Sequence, residues 1–263
     1  MKTLNLQKLL HWAFVDELVK GGGEDGLNSP LSAWGAFDAI AQLGVRIDRD
    51  RGSCDLPMQL EQGEPHADAV LVAQAVRNVT AIAYKIAPLD ELLSDWPVAE
   101  RWLATPFYEE VIKRLQSRTQ KQIAQSVIAQ IVTHAVLCKT PCFSAPVPKV
   151  DFVKQNGKPL WFIKQTVLNE LGREVEMEMD GYNKKSGRPF TSAYRKYVLS
   201  DNPQSDIMAR IEYQFWVTAL NHIFLTLNGN MQDHRLSPFS VKLTPWLQKN
   251  FTNKNKMIDA ISA

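Results

Sequence analysis

Acidic side chains are missing from two long stretches of this 263-residue chain. None occurs between Glu110 and Asp151, where Lys113, Arg114, Arg118, Lys121, Lys139 and Lys149 stand. None occurs between Gly181 and Ser200 either, and that window holds Lys184, Lys185, Arg188, Arg195 and Lys196. Positive charge concentrated in this way suits a surface that meets phosphate, because each Lys or Arg beside a phosphate releases a condensed counterion. The net charge of +2 conceals the pattern. Residues 1–105 carry nine Lys and Arg against fifteen Asp and Glu, whereas residues 106–263 carry twenty-one against thirteen. An acidic half therefore precedes a basic one.

Other absences narrow the field. Apolar runs are short and interrupted by charge, far from the roughly 20 residues of a membrane span, so no membrane partner is expected. No charged, apolar and small-residue leader pattern opens the chain. Three cysteines make no disulfide framework, which points to a reducing compartment and makes cytoplasm the expected location. There is no G-x-S-x-G elbow, no phosphate-binding loop and no H-E-x-x-H pair, so neither catalytic residues nor a cofactor are expected. What is present, 45% hydrophobic residues over 263 positions, suffices for a substantial core.

The first half reads as helices. Leu6, Leu9, Leu10, Ala13, Phe14 and Leu18 recur at spacings of three and four from Leu4 to Val19, with the opening Met1 to Leu10 taken as the start of that helix and Gly21-Gly22-Gly23 as its stop. A second helix is expected from Asn28-Ser29-Pro30 through Leu31, Trp34, Phe37, Ala41 and Val45, followed by a polar loop from Arg46 to Pro65. Further helices are expected over Ala67 to Val79, Leu89 to Leu93, Val98 to Leu103, Phe107 to Leu115 beyond Pro106, and Thr119 to Leu137. Asp68 falls in a first turn, where a negative charge suits the helix dipole.

The character changes near Ser144. Asn156-Gly157 between apolar segments is a strong hairpin signal, since both turn positions need positive φ. Glu174 to Asp180 alternates strictly, with Val175, Met177 and Met179 on one face and the carboxylates on the other, and Tyr194 to Leu199 is the expected antiparallel partner. Ser205 is the expected cap of a long helix from Asp206 to Leu227, closed by Gly229. The tail through Phe239, Val241, Leu243 and Trp246 is too apolar to leave in water. The expected architecture is thus α+β: a helical region over residues 1–143, and a smaller region of antiparallel hairpins packed on a long helix over residues 144–263.

Four constellations bear on chemistry. Arg118 to Val127, RTQKQIAQSV, resembles the first helix of a helix-turn-helix, with Ala124 as the small residue at the crossing. Ile128 stands four positions on, and no Gly, Pro or Asn follows before Pro141, so the period predicts an uninterrupted helix with Ile123, Val127, Ile131 and Ala135 inward. Lys184-Lys185-Ser186-Gly187-Arg188-Pro189 resembles the core of an AT-hook, which implies an extended Gly-Arg-Pro along a narrow A·T minor groove; Phe190 stands where that pattern has a further Arg. His134, Cys138 and Cys142 recur every four residues, and a zinc site would need a fourth ligand from Cys54, His66, His222 or His234. Buried apolar cysteines beside a helix-terminal histidine, with no metal, are the expectation. Glu174, Glu176, Glu178 and Asp180 form a carboxylate ladder that reads as a solvated strand face, paired across to Arg195 or Lys196.

The functional expectation is a non-enzymatic nucleic-acid-binding protein, a DNA-binding regulator, using Lys184, Lys185, Arg188, Arg195 and Lys196 together with Arg114, Arg118 and Lys121. Its acidic helical half would be left for protein contacts. The alternative is an adaptor or inhibitor whose basic surface meets an acidic protein partner.

Overall fold

The computed structural model describes residues 2–18, 64–168 and 173–249. The expected helix from Asn28 through Val45, the Gly21-Gly22-Gly23 stop, Cys54 and most of the Arg46 to Pro65 loop lie outside the described residues. The helices are α1 (Leu6–Trp12), α2 (Ala67–Asn78), α3 (Leu89–Leu92), α4 (Val98–Gln116), α5 (Gln120–Val136) and α6 (Gln204–Leu227). The strands are β1 (Lys2–Leu4), β2 (Val150–Phe152), β3 (Lys154–Gln155), β4 (Lys158–Pro159), β5 (Phe162–Leu168) and β6 (Glu174–Asp180), then β7 (Tyr182–Asn183), β8 (Arg188–Pro189), β9 (Tyr197–Leu199) and β10 (His234–Leu236). The fold is α+β, with paired strands in small ladders and a long helix towards the C-terminal end. No helix of the described residues is long and apolar enough to cross a membrane.

The chain divides into two compact units, each gathered from separate segments. The first comprises Met1–Ala87, Arg114–Ser144 and Met208–Gln248; the second comprises Pro88–Lys113, Ala145–Ile207 and Lys249–Ala263.

In the first unit, the Asn5 side chain caps α1 by accepting the Lys8 N–H at 2.8 Å, and α1 runs on into a π-helical turn, Ala13–Glu17. Leu6, Leu9, Leu10, Ala13 and Phe14 are buried, as the three-and-four spacing predicts. The chain does not open with that helix, however. Lys2–Leu4 forms β1, which pairs in parallel with β10 in the register Lys2↔His234 and Leu4↔Leu236. A strand only three residues long carries no period of its own, so its partner decides its conformation. Helix α5 is uninterrupted and opens on a capping box: Thr119 Oγ1 accepts the Gln122 N–H, and the Gln122 side chain accepts the Thr119 N–H at 2.9 Å. Ile123, Val127, Ile131 and Ala135 face inward. From Met208 onward α6 buries Ile211, Phe215, Ala219 and Ile223, and Gly229 closes it at φ +86°. The tail is ordered through the 3-10 turn Pro245–Lys249, with Trp246 only 2% exposed beneath the Arg210 guanidinium.

The second unit departs from expectation in three places. Val98–Gln116 is one helix that carries Pro106 inside it; Ala104 and Val111, buried on either side of the proline, hold the helix together across the lost N–H. The helix that becomes α6 begins at Gln204, and Asn202 rather than Ser205 supplies a side-chain acceptor there, taking the Gln204 N–H at 2.9 Å. The antiparallel partner of Glu174 to Asp180 is β5, in the register Ile163↔Met179, Gln165↔Met177 and Val167↔Val175. Strand β9 pairs instead with β2, and Tyr194 bridges to Phe162 of β5 rather than to β6. Adjacent strands of complementary length close a hairpin at lower entropic cost than strands separated by a long connection. The Asn156-Gly157 hairpin forms as the sequence predicts, with φ +51° and +78° and Gln155 opposite Lys158.

Candidate functional site

The basic window of the second unit folds into a closed hairpin. Tyr182 pairs with Pro189 and Asn183 with Arg188. Asn183 shapes the turn, its side-chain oxygen accepting the Lys185 N–H at 2.9 Å and its carbonyl the Gly187 N–H at 2.9 Å. The Tyr182 hydroxyl donates to the Gly187 carbonyl at 2.8 Å. Lys184, Lys185 and Arg188 are exposed at this turn, and none forms an ion pair with a carboxylate among the described residues. Exposed rings lie in the same segment: Tyr182 at 41%, Phe190 at 42% and Tyr197 at 59%.

Arg195 and Lys196 sit differently. The Arg195 guanidinium lies 4.3 Å from the Trp161 ring centroid and 5.2 Å from that of Phe152. Lys196 lies over Phe162 at 4.8 Å and pairs with Glu178. Glu178 also accepts the Tyr194 hydroxyl, and the hydrogen bonds from Lys196 and Tyr194 hold its carboxyl below the ordinary range. Lys164 pairs with Glu176 at 3.7 Å. The carboxylate ladder is therefore a solvated face laced to cations, as the alternation predicts.

Arg114, Arg118 and Lys121 belong to the first unit, around the junction of α4 and α5, and all three are exposed. Arg118 acts on Glu212: burial pushes the Glu212 carboxyl up, while the Arg118 charge pulls it down.

Cys138 and Cys142 are free thiols and both are exposed, contrary to the expectation that they are buried. The reason is the way α5 ends. Lys139 N–H reaches back to the His134 carbonyl at 3.1 Å and Cys138 N–H to that of Ala135 at 3.3 Å, with Cys138 in the left-handed region at φ +51°. That turn leaves Cys138 at the surface, and Cys142 is exposed just after the buried Pro141. The His134 ring is part-buried, and burial holds its basicity below the ordinary histidine value.

One constellation is invisible in the sequence. Asp68, fully buried at the start of α2, accepts the backbone N–H groups of Gln232 at 2.7 Å, Asp233 at 3.0 Å and His234 at 3.1 Å, and is 2.9 Å from His234 Nδ1. Desolvation pushes its carboxyl up, but these hydrogen bonds together outweigh it and leave the group ionised below its ordinary value. An ionised carboxylate only accepts, so His234 donates from Nδ1. His66 caps the same helix: its Nδ1 accepts the Asp68 N–H at 3.1 Å, which puts the proton on Nε2, 3.1 Å from Asp233. Trp12 packs on both imidazoles, at centroid distances of 5.5 and 4.4 Å.

His66, Asp68 and His234 bring possible ligand atoms within 4.8 Å of one another. The hydrogen bonds, however, commit both Asp68 oxygens and both His66 nitrogens inside the protein, so this set braces β10 against α2 and does not fit a metal ion. Asp68 and His234 are 166 positions apart, and only the His66-x-Asp68 spacing at a helix start hinted at more than a dipole role for the carboxylate.

No protein-family model, curated protein or solved structure matches this chain.

Proposed function

We propose that the protein binds nucleic acid, DNA in particular, through the β7–β8 hairpin, and that it acts as a non-enzymatic regulator. The observation that carries this reading is the combination at one turn of three exposed cations without an ion pair among the described residues, Lys184, Lys185 and Arg188, with the exposed rings of Tyr182 and Phe190. Cations supply phosphate contacts and rings supply faces on which bases stack. The turn is held by its own hydrogen bonds, so little ordering would be needed on binding. Arg195, stacked on Trp161 and Phe152, and Lys196, over Phe162 and paired with Glu178, are further candidate phosphate contacts. Arg114, Arg118 and Lys121 form a second set of candidate phosphate contacts.

The test is fluorescence anisotropy of the full chain with duplex DNA, single-stranded DNA and RNA over a range of salt. For about six phosphate contacts, log K against log salt should fall with a slope of about −5 on duplex. The Lys184→Ala/Lys185→Ala/Arg188→Ala variant should melt like the parent and bind roughly tenfold or more weakly. Binding insensitive to salt, or none at low salt, overturns the reading.

A second reading is favoured by a separate observation. Val167, Val175, Met177 and Met179 on one face of the β5–β6 hairpin are all between 39% and 52% exposed. An adaptor that docks an acidic protein would use such an apolar face beside a basic rim.

A further inference from the structure

We infer that the first unit binds a small organic carboxylate with an apolar body, in the cavity between α1, the end of α5 and α6. The cavity measures about 230 Å³, and Trp216, His134, Lys8 and Lys139 line it together with the apolar Leu10 and Ile131. Nothing assigned above uses it.

Two buried nitrogens among these residues lack any hydrogen-bond partner among the described residues: Trp216 Nε1 and His134 Nδ1. Trp216 is only 2% exposed. An indole N–H can only donate, and a buried donor without an acceptor is costly enough that native structures rarely leave one unanswered. The ligand must therefore bring an acceptor.

The charge around the cavity points the same way. Among the described residues no Asp or Glu lines it, whereas Lys8 and Lys139 both do. The carbonyl end of α5 would repel an anion, but the carbonyls of Thr133, His134 and Ala135 are answered within the protein. Leu137 N–H takes the Thr133 carbonyl at 3.0 Å and Lys139 N–H takes that of His134 at 3.1 Å. The Ala135 carbonyl receives His11 Nδ1–H at 2.9 Å. Beside the Asn5 and Gln7 amides, what remains is the unanswered indole N–H and two cations above apolar walls. Inorganic anions would leave those walls unfilled, and purely apolar molecules would leave the indole N–H unanswered. An apolar cavity of about 150 Å³ is enough for benzene, so this volume suits one ring or a short branched chain carrying a carboxylate.

The experiment is an NMR titration of the full chain, labelled with ¹⁵N at tryptophan, using benzoate, phenylacetate and hexanoate, with benzamide as the uncharged control. The indole signal absent from the Trp216→Phe spectrum should move saturably with at least one carboxylate, and benzamide should bind at least tenfold more weakly. The Lys8→Gln/Lys139→Gln variant, altered only at exposed positions, should lose tenfold or more in affinity by calorimetry; that measurement decides the matter if Trp216→Phe does not fold. The proposal is overturned if none of the three carboxylates moves the Trp216 signal. It is equally overturned if benzamide binds as tightly as benzoate, or if the double variant binds like the parent.

Discussion

The Asp68 carboxylate holds His234 Nδ1 at 2.9 Å while the same two oxygens collect three consecutive backbone N–H groups, from Gln232 to His234. The carboxyl value in the folded protein is lower than the ordinary 3.8. Stability from this group is therefore complete above the unfolded value and is lost as pH falls from 3.8 through the depressed value. Asp68→Asn should remove that acid-side loss and cost about 2 to 4 kcal/mol at neutral pH, because the amide turns a donor towards the buried N–H groups. Urea denaturation at several pH values measures both effects; an Asn variant as stable as the parent at pH 7 would contradict the assignment.

Cations of the basic window should separate into two kinds by stability. Arg195 is stacked on Trp161 and Phe152, so Arg195→Ala should destabilise the protein by about 1 kcal/mol through lost ring contact. Lys184→Ala, at an exposed turn without an ion pair among the described residues, should change the melting midpoint negligibly. Equal effects in thermal melts would refute the distinction.

Gly181 should tolerate no side chain. A Cβ there would stand 2.8 to 2.9 Å from the backbone N, C and O of Phe162. Gly181 also links the two hairpins, donating to the Trp161 carbonyl and accepting from Phe190 N–H. Gly181→Ala should cost about 2 kcal/mol by overpacking and weaken nucleic-acid binding, both measurable on the purified variant.

Cys138 occupies the left-handed position after α5 that glycine normally fills. Cys138→Gly should stabilise the protein by about 0.5 to 1 kcal/mol, the relieved backbone cost exceeding the added freedom of the unfolded chain. A decrease in the denaturation midpoint would show that the thiol contributes contacts of its own.

Legibility followed the distance over which each feature is determined. The start of α5 at Thr119, the Asn156-Gly157 turn and the inward face of α5 depend on neighbours within a few residues, and the sequence predicts all three. Strand β1 and the partner of β6 are settled by segments elsewhere in the chain, and local pattern misplaces both. Pro106 lies between: the local rule ends a helix there, and burial of Ala104 and Val111 overrides it. Within the candidate site the charge of Lys184, Lys185 and Arg188 is legible, but the ring contacts that engage Arg195 are not. Trp216, His134 and Lys8 come from three separate helices or their ends, so no spacing could have announced their shared cavity.

The parallel pairing of β1 with β10 has a consequence for biosynthesis. Lys2 leaves the ribosome more than two hundred positions before its partner His234 is made. Until then Asp68 also lacks the N–H groups that it is built to receive. The first unit therefore cannot reach its final state before residues 234–236 are made, and closing so long a loop is slow. Truncated nascent chains should accordingly expose the apolar faces of α1 and α2 to chaperones until residues beyond Leu236 emerge.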